Sequence, residues 1–217
     1  MASPPQPNTS KPPAARLYLV TPVVAETSAF AGPLAAALAA GDIAAVLLRL
    51  APADERTLIN RIKEIAPVAQ ERGAALLLDG HSELVARAGA DGAHLTGTEA
   101  VKEFIGILRP ERIAGVGGLV SRHDAMLAAE SGADYVMFGE PDPAGKRPSF
   151  EAIHERVTWW AEVFEIPCVA YAAALDEIHA LAAAEFVALG EWVFSDPRGP
   201  AAAIADATAR LAAENFA

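Results

Sequence analysis

Leu76-Leu77-Leu78-Asp79-Gly80-His81, followed by Ala88-Gly89-Ala90-Asp91-Gly92-Ala93-His94-Leu95, decides how this chain is read. The first run is an apolar strand that ends in a carboxylate. A short helix follows, then a second apolar strand that ends in an imidazole. Parallel strands buried on both faces read as continuous apolar runs, and in α/β barrels the chemistry gathers where such strands end.

Working outward, the same alternation extends over the chain after a Pro-, Ser- and Asn-containing stretch, Met1 to Pro13, which reads as a flexible tail. The expected organisation is thus a tail over residues 1–14 and one domain over 15–217. Strands are expected at Leu17–Thr21, Ile43–Leu50, Ala74–Asp79, Gly92–Leu95, Arg112–Val116, Tyr135–Gly139, Ile166–Tyr171 and Glu185–Gly190. Helices are expected at Ala31–Ala40, Ala53–Arg72, Ser82–Ala88, Thr98–Leu108, Asp124–Glu130, Phe150–Phe164, Asp176–Ala184 and Gly199–Ala213. Pro67 falls inside the second helical pattern and is expected to kink or break it. Eight strand–helix units in this length suit a single closed (β/α)8 TIM barrel better than an open doubly wound sheet.

Composition sets the outer bounds. With 217 residues, of which 53% are apolar, the chain can bury one sizeable core. Charges, Gly or Pro interrupt every apolar run before the roughly 18 residues that a bilayer crossing needs. The N-terminus lacks the order of a signal peptide. Cys168 is the single cysteine, which excludes an internal disulfide. A cytoplasmic protein with no membrane partner is the expectation. A net charge of −11 argues against nucleic acid as a partner. It also makes binding of a polyanionic small molecule depend on local cations or a divalent metal.

The expected strand ends are Thr21, Arg49, Asp79, His94, Gly117-Gly118, Gly139-Glu140, Tyr171 and Gly190-Glu191. Arg49 closes an apolar strand, where a guanidinium can pair with a phosphate or carboxylate, or with Asp54 or Glu55 across the loop. Asp79 offers a hard oxygen ligand for Mg²⁺, or else an N-cap for the helix that begins near Ser82. Glu99 is the nearest candidate for a second acid, against the plain role of a first-turn carboxylate. His94 could bond a heterocycle or carry a proton, against the alternative of a core histidine bonded to a carbonyl. Gly115-Val116-Gly117-Gly118 could bring backbone N–H groups to a phosphate, or simply make a tight turn. The loop Pro141–Pro148 carries adjacent cations, Lys146 and Arg147, that could close over an anion. Trp159-Trp160 is a candidate interface for a homo-oligomer, with one ring expected in the core.

Several of these segments together resemble the thiamin phosphate synthase and thiazole tautomerase family. They are Leu17-Tyr18-Leu19-Val20-Thr21, Leu48-Arg49, the Ala88–Leu95 segment, Gly132-Ala133-Asp134-Tyr135-Val136-Met137-Phe138-Gly139 and Ile166-Pro167-Cys168-Val169-Ala170. The resemblance implies a transferase that joins a pyrimidine methyl pyrophosphate to a thiazole phosphate and releases pyrophosphate, so a small phosphorylated heterocycle would be the ligand. It further implies that Arg49 and Lys146 hold pyrophosphate and that Asp79 binds Mg²⁺, with Glu99 where the family has a second Asp. His94 would line the pyrimidine pocket. Gly117, Gly139, Tyr171, Ala172 and Gly190, at the ends of the later strands, are the remaining candidates for contact with substrate.

The chain departs from the family pattern at several of these places. Leu47 and Ala51 replace the Gln and Lys that flank the Arg. Leu78 and Gly80 replace the Asn and Arg that flank the metal-binding Asp. Gly117 replaces a Ser, Ala172-Ala173 stands near a Gly-Gly, and Glu191 falls near a Ser. Two alternatives therefore stand beside the synthase reading: a non-catalytic descendant that binds a ligand or protein, and a different small-molecule enzyme on the same barrel.

Overall fold

The computed structural model describes residues 14–213; residues 1–13 of the expected tail lie outside them. Eight strands are present: β1 (Arg16–Val24), β2 (Ile43–Leu50), β3 (Ala75–Asp79), β4 (Gly92–Thr96), β5 (Ile113–Gly117), β6 (Tyr135–Phe138), β7 (Cys168–Ala172) and β8 (Phe186–Leu189). They form a closed barrel in chain order, each parallel to its neighbours, with β8 pairing back onto β1. Seven α-helices surround it among the described residues: α1 (Thr27–Ala39), α2 (Glu55–Gln70), α3 (Val85–Ala88), α4 (Gly97–Leu108), α5 (Arg122–Glu130), α6 (Phe150–Val163) and α7 (Pro200–Ala212).

Strand parity divides the apolar residues into two cores, because successive side chains point to opposite faces. Tyr18, Val20, Ala45, Leu47, Leu77, Tyr135, Met137, Val169, Tyr171 and Ala188 fill the barrel interior. Their strand neighbours, such as Leu17, Leu19, Val46, Leu48, Leu76 and Leu78, face outward against the helices. The amphipathic α2 shows how the outer layer closes. Leu58, Ile62, Ile65 and Ala69 recur at helical spacing and are buried, each large side chain contributing about 1.5–3 kcal/mol. Asp54 caps this helix by accepting from the Thr57 amide at 3.0 Å.

Two expectations are corrected. Helix α2 runs without a break through Pro67, which lies in its last turn. The expected helix at Asp176–Ala184 is instead a pair of 3₁₀ turns, Leu175–Glu177 and His179–Leu181. The Glu177 side chain folds back to accept from the Ala173 amide, and that tie holds the start of the connection in a tight turn. Of the Trp pair, Trp160 is fully buried and donates to the Ile166 carbonyl at 2.8 Å, while Trp159 is half-buried beneath the Arg122 guanidinium.

Candidate active site

Parity also selects the mouth of the barrel. Counting by two from interior residues Leu47, Leu77, Met137, Val169 and Ala188 reaches Arg49, Asp79, Gly139, Tyr171 and Gly190 at the carboxyl ends. Arg49 is seated by its own amide, which donates to the buried Thr21 hydroxyl at 3.0 Å. Its guanidinium lies 3.6 Å from Asp79 Oδ2 and 3.2 Å from Glu191 Oε1. The partners are therefore Asp79 and Glu191, not Asp54 or Glu55. Burial pushes the Asp79 carboxyl above its ordinary range, against the opposing pull of Arg49 and His81. Asp79 does not cap the following turn, whose N-cap is His81 in a left-handed conformation.

His94 is 5% exposed and bonds Tyr135, not a carbonyl: its Nδ1 lies 2.9 Å from the Tyr135 hydroxyl, which lies 2.8 Å from the Tyr18 hydroxyl. Burial holds the imidazole down to a pKa of about 4, so it is neutral near pH 7. The direction of this chain of bonds follows from satisfaction of donors. Tyr18 is 2% exposed and its hydroxyl bonds Tyr135, so it donates there and Tyr135 donates onward to His94 Nδ1. The His94 proton then sits on Nε2. That nitrogen faces β5, since a Cβ on Gly117 would collide with both His94 Nε2 and Glu140 Oε1. Glu140 in turn accepts from the Gly118 amide, and burial raises its carboxyl above the ordinary range. The Gly-rich turn after β5 thus offers its amide to a carboxylate of the chain itself.

The β6–β8 side of the mouth is bracketed by Arg147. Its Nε donates to the Gly139 carbonyl at 3.0 Å, its Nη2 to the Tyr171 carbonyl at 3.0 Å, and its fork to Glu177 at 3.0–3.1 Å. Glu177 also accepts from the Ala173 amide at 2.8 Å. Ala172 is buried, and its carbonyl accepts from the Trp192 indole at 3.2 Å. A Cβ on Gly190 would collide with the Tyr171 hydroxyl, so that ring reaches across the end of β8.

The expected site residues are not all gathered here. Arg49, Asp79, His94 and Gly117 converge, while Gly139, Tyr171, Ala172 and Gly190 line the opposite side. Lys146 is exposed, and its amide is tied to Asp142 Oδ1 in a turn. Glu99 is 85% exposed in its side chain and pairs with Lys102. Glu140, Arg147 and Glu177 take roles that the sequence reading did not assign. The position of Glu140 directly after a barrel strand was the available signal for it.

A family model described as thiamine monophosphate synthase matches residues 17–190. The chain belongs to that family. It is 42% identical over 196 residues to a thiamine-phosphate synthase of Rhodospirillum centenum, covering 88% of this chain and 95% of the relative. A thiamine-phosphate synthase of Hyphomonas neptunium is 36% identical over 208 residues, 91% of this chain and 94% of the relative. Among solved structures, thiamine phosphate pyrophosphorylase from Pyrococcus furiosus superposes with a TM-score of 0.72 at 21% identity, over 93% of this chain and 97% of that one. That likeness shows the barrel fold.

No group of three or more His, Cys, Asp or Glu side chains suited to a metal occurs among the described residues. With Glu99 turned to Lys102, the expected acid pair reduces to the part-buried Asp79. One carboxylate fits an Mg²⁺ ion carried largely by substrate phosphates and water, and does not fit a protein-only cage.

Proposed function

We propose that this family member transfers a pyrimidine methyl group from its pyrophosphate to the ring nitrogen of a thiazole, with release of pyrophosphate. The observation that carries the reading is the Arg49–Asp79 pair at the ends of β2 and β3, adjacent to the buried imidazole of β4. Arg49 binds the pyrophosphate by exchanging the exposed Glu191 carboxylate for phosphate oxygens, and it stabilises the charge that gathers there as the bond to carbon breaks. Asp79 holds Mg²⁺ against the same oxygens, and the ion supplies further neutralisation of the leaving group. His94 donates from Nε2 to an acceptor on the heterocycle and thereby orients the methylene carbon. The closed wall of apolar side chains beneath the mouth excludes water. A cytoplasmic location is consistent with a buried free thiol, Cys168, and with the absence, among the described residues, of a helix able to cross a membrane.

The test is product formation by the purified chain with Mg²⁺, the pyrimidine methyl pyrophosphate and thiazole offered with and without its phosphate. Pyrophosphate release is followed together with the mass of the joined product. Product in the parent chain, lost in Asp79→Ala, is the expected result. No product with either thiazole, while an active relative gives product under the same conditions, overturns the reading. A second reading, a non-catalytic ligand-binding descendant, is favoured by the two mouth amides, Gly118 and Ala173, already bonded to the chain's own carboxylates. That outcome would leave pyrophosphate release at background.

A further inference from the structure

We infer that the acceptor bound at the β7–β8 end of the mouth carries no phosphate: it is a thiazole with a free hydroxyl in place of the phosphate ester. This rests on the transfer reaction proposed above. In (β/α)8 barrels the loops after the seventh and eighth strands frequently hold phosphate, using backbone N–H groups and a short helix. Here those elements are spent on the chain itself. The Ala173 amide donates to Glu177 at 2.8 Å. Every nitrogen of the Arg147 guanidinium is committed to Glu177, the Gly139 carbonyl or the Tyr171 carbonyl. The turn after β8 opens with Glu191, and the Tyr171 ring fills the space beside Gly190.

The two ends of the mouth therefore differ in kind. Glu191 touches Arg49 through a single 3.2 Å contact and is 60% exposed, so an incoming anion can displace it into water. Glu177 is 19% exposed, and Arg147 is 20% exposed. A phosphate arriving there would have to separate a fork-shaped, part-buried pair and strand the Glu177 carboxylate beside itself. A neutral hydroxyl meets no such opposition and finds hydrogen-bond partners in Glu191 and the Tyr171 hydroxyl. In the reaction the bond from the methylene carbon to the pyrophosphate oxygen breaks, and its electron pair leaves with pyrophosphate. The thiazole nitrogen lone pair forms the new C–N bond, giving a thiazolium. The acceptor hydroxyl is unchanged and no proton is transferred.

The experiment compares kcat/KM of the full chain for the two acceptors, with Mg²⁺ and saturating pyrimidine methyl pyrophosphate. The expected result favours the alcohol by at least about tenfold, equivalent to about 1.4 kcal/mol. Equal or faster use of the phosphate overturns the inference. In Glu177→Gln, with folding checked by circular dichroism, release of Arg147 and the Ala173 amide should narrow the gap by at least about threefold. A gap unchanged in that variant overturns the assigned cause and the inference with it. Should neither acceptor turn over, the transfer reading fails, and calorimetric titration of each acceptor into the parent chain decides the specificity separately. Tighter binding of the alcohol supports it, while tighter binding of the phosphate, or binding of neither, overturns it.

Discussion

Acidification tests the buried state of His94 directly. The imidazole is 5% exposed, and burial lowers its pKa from 6.5 to about 4. An unfolded chain takes up a proton at this residue near pH 6.5, whereas the folded chain does so only near pH 4. The stability linked to keeping it neutral is fully present above pH 6.5 and is lost as pH falls toward 4. Each pKa unit corresponds to about 1.4 kcal/mol, so the loss is about 2 kcal/mol by pH 5 and about 3 kcal/mol by pH 4. Asp79 and Glu140 act with the opposite sign: burial raises both, so the folded chain binds their protons more readily than the unfolded chain as pH falls. Comparison with His94→Gln cancels their contribution, since the amide can still bond Tyr135 but does not titrate. Urea denaturation followed by tryptophan fluorescence at pH 7.5, 6 and 5 should show the parent losing about 2 kcal/mol more than the variant. Parallel losses, within about 0.5 kcal/mol, would refute the burial argument and the neutral Nε2–H donor inferred from it.

Two further substitutions probe how the mouth is held. Tyr135→Phe removes both the acceptor for the Tyr18 hydroxyl and the donor to His94 Nδ1, and should cost about 1–3 kcal/mol in urea denaturation. In the same variant the ring ¹⁵N shifts of His94 should move away from a single Nε2–H tautomer; unchanged shifts would show that Tyr135 does not set it. Gly117→Ser restores a side chain in space held by Glu140 Oε1, and should cost about 1–3 kcal/mol through overpacking. Adding Glu140→Ala should recover part of that loss, and strict additivity in the cycle would mean that the two positions do not compete.

The fold was legible because its signal is periodic and repeated. Continuous apolar runs such as Val46-Leu47-Leu48 and Leu76-Leu77-Leu78 mark strands covered on both faces, and parity then fixes which residues reach the mouth. Arg49, Asp79 and His94 were readable for the same reason, each being polar at the end of such a run. The loop residues were not. Lys146 and Arg147 are neighbours of like charge, and which one turns inward depends on the Asp142 turn, which ties the Lys146 amide and leaves Arg147 facing Gly139 and Tyr171. Glu140 was visible as a position but not as a partner, because its bond to Gly118 joins residues far apart in the chain. Glu99 was placed near Asp79 by sequence distance alone, and the helix directs it to Lys102 instead.

The departures from the family pattern are easier to understand as exchanges than as losses. Gly117 stands where relatives resemble one another in carrying Ser, and the volume a side chain would need there holds Glu140 Oε1 and His94 Nε2. At β8 a side chain on Gly190 would meet the Tyr171 hydroxyl. Each small residue is matched by a large one reaching into the space it vacates, and each incoming carboxylate finds a donor: Glu140 the Gly118 amide, Glu177 the Ala173 amide and Arg147. No side-chain nitrogen or oxygen in the buried part of the described chain is left without a partner. A site decaying without constraint would leave cavities and orphaned polar groups, because each lost side chain removes a partner from another. Paired replacement instead preserves packing and polar satisfaction while it changes which ligand the mouth can accept. That is the physical signature of a pocket re-specified on an unchanged barrel, and it is why the search for its ligand belongs at the β7–β8 end.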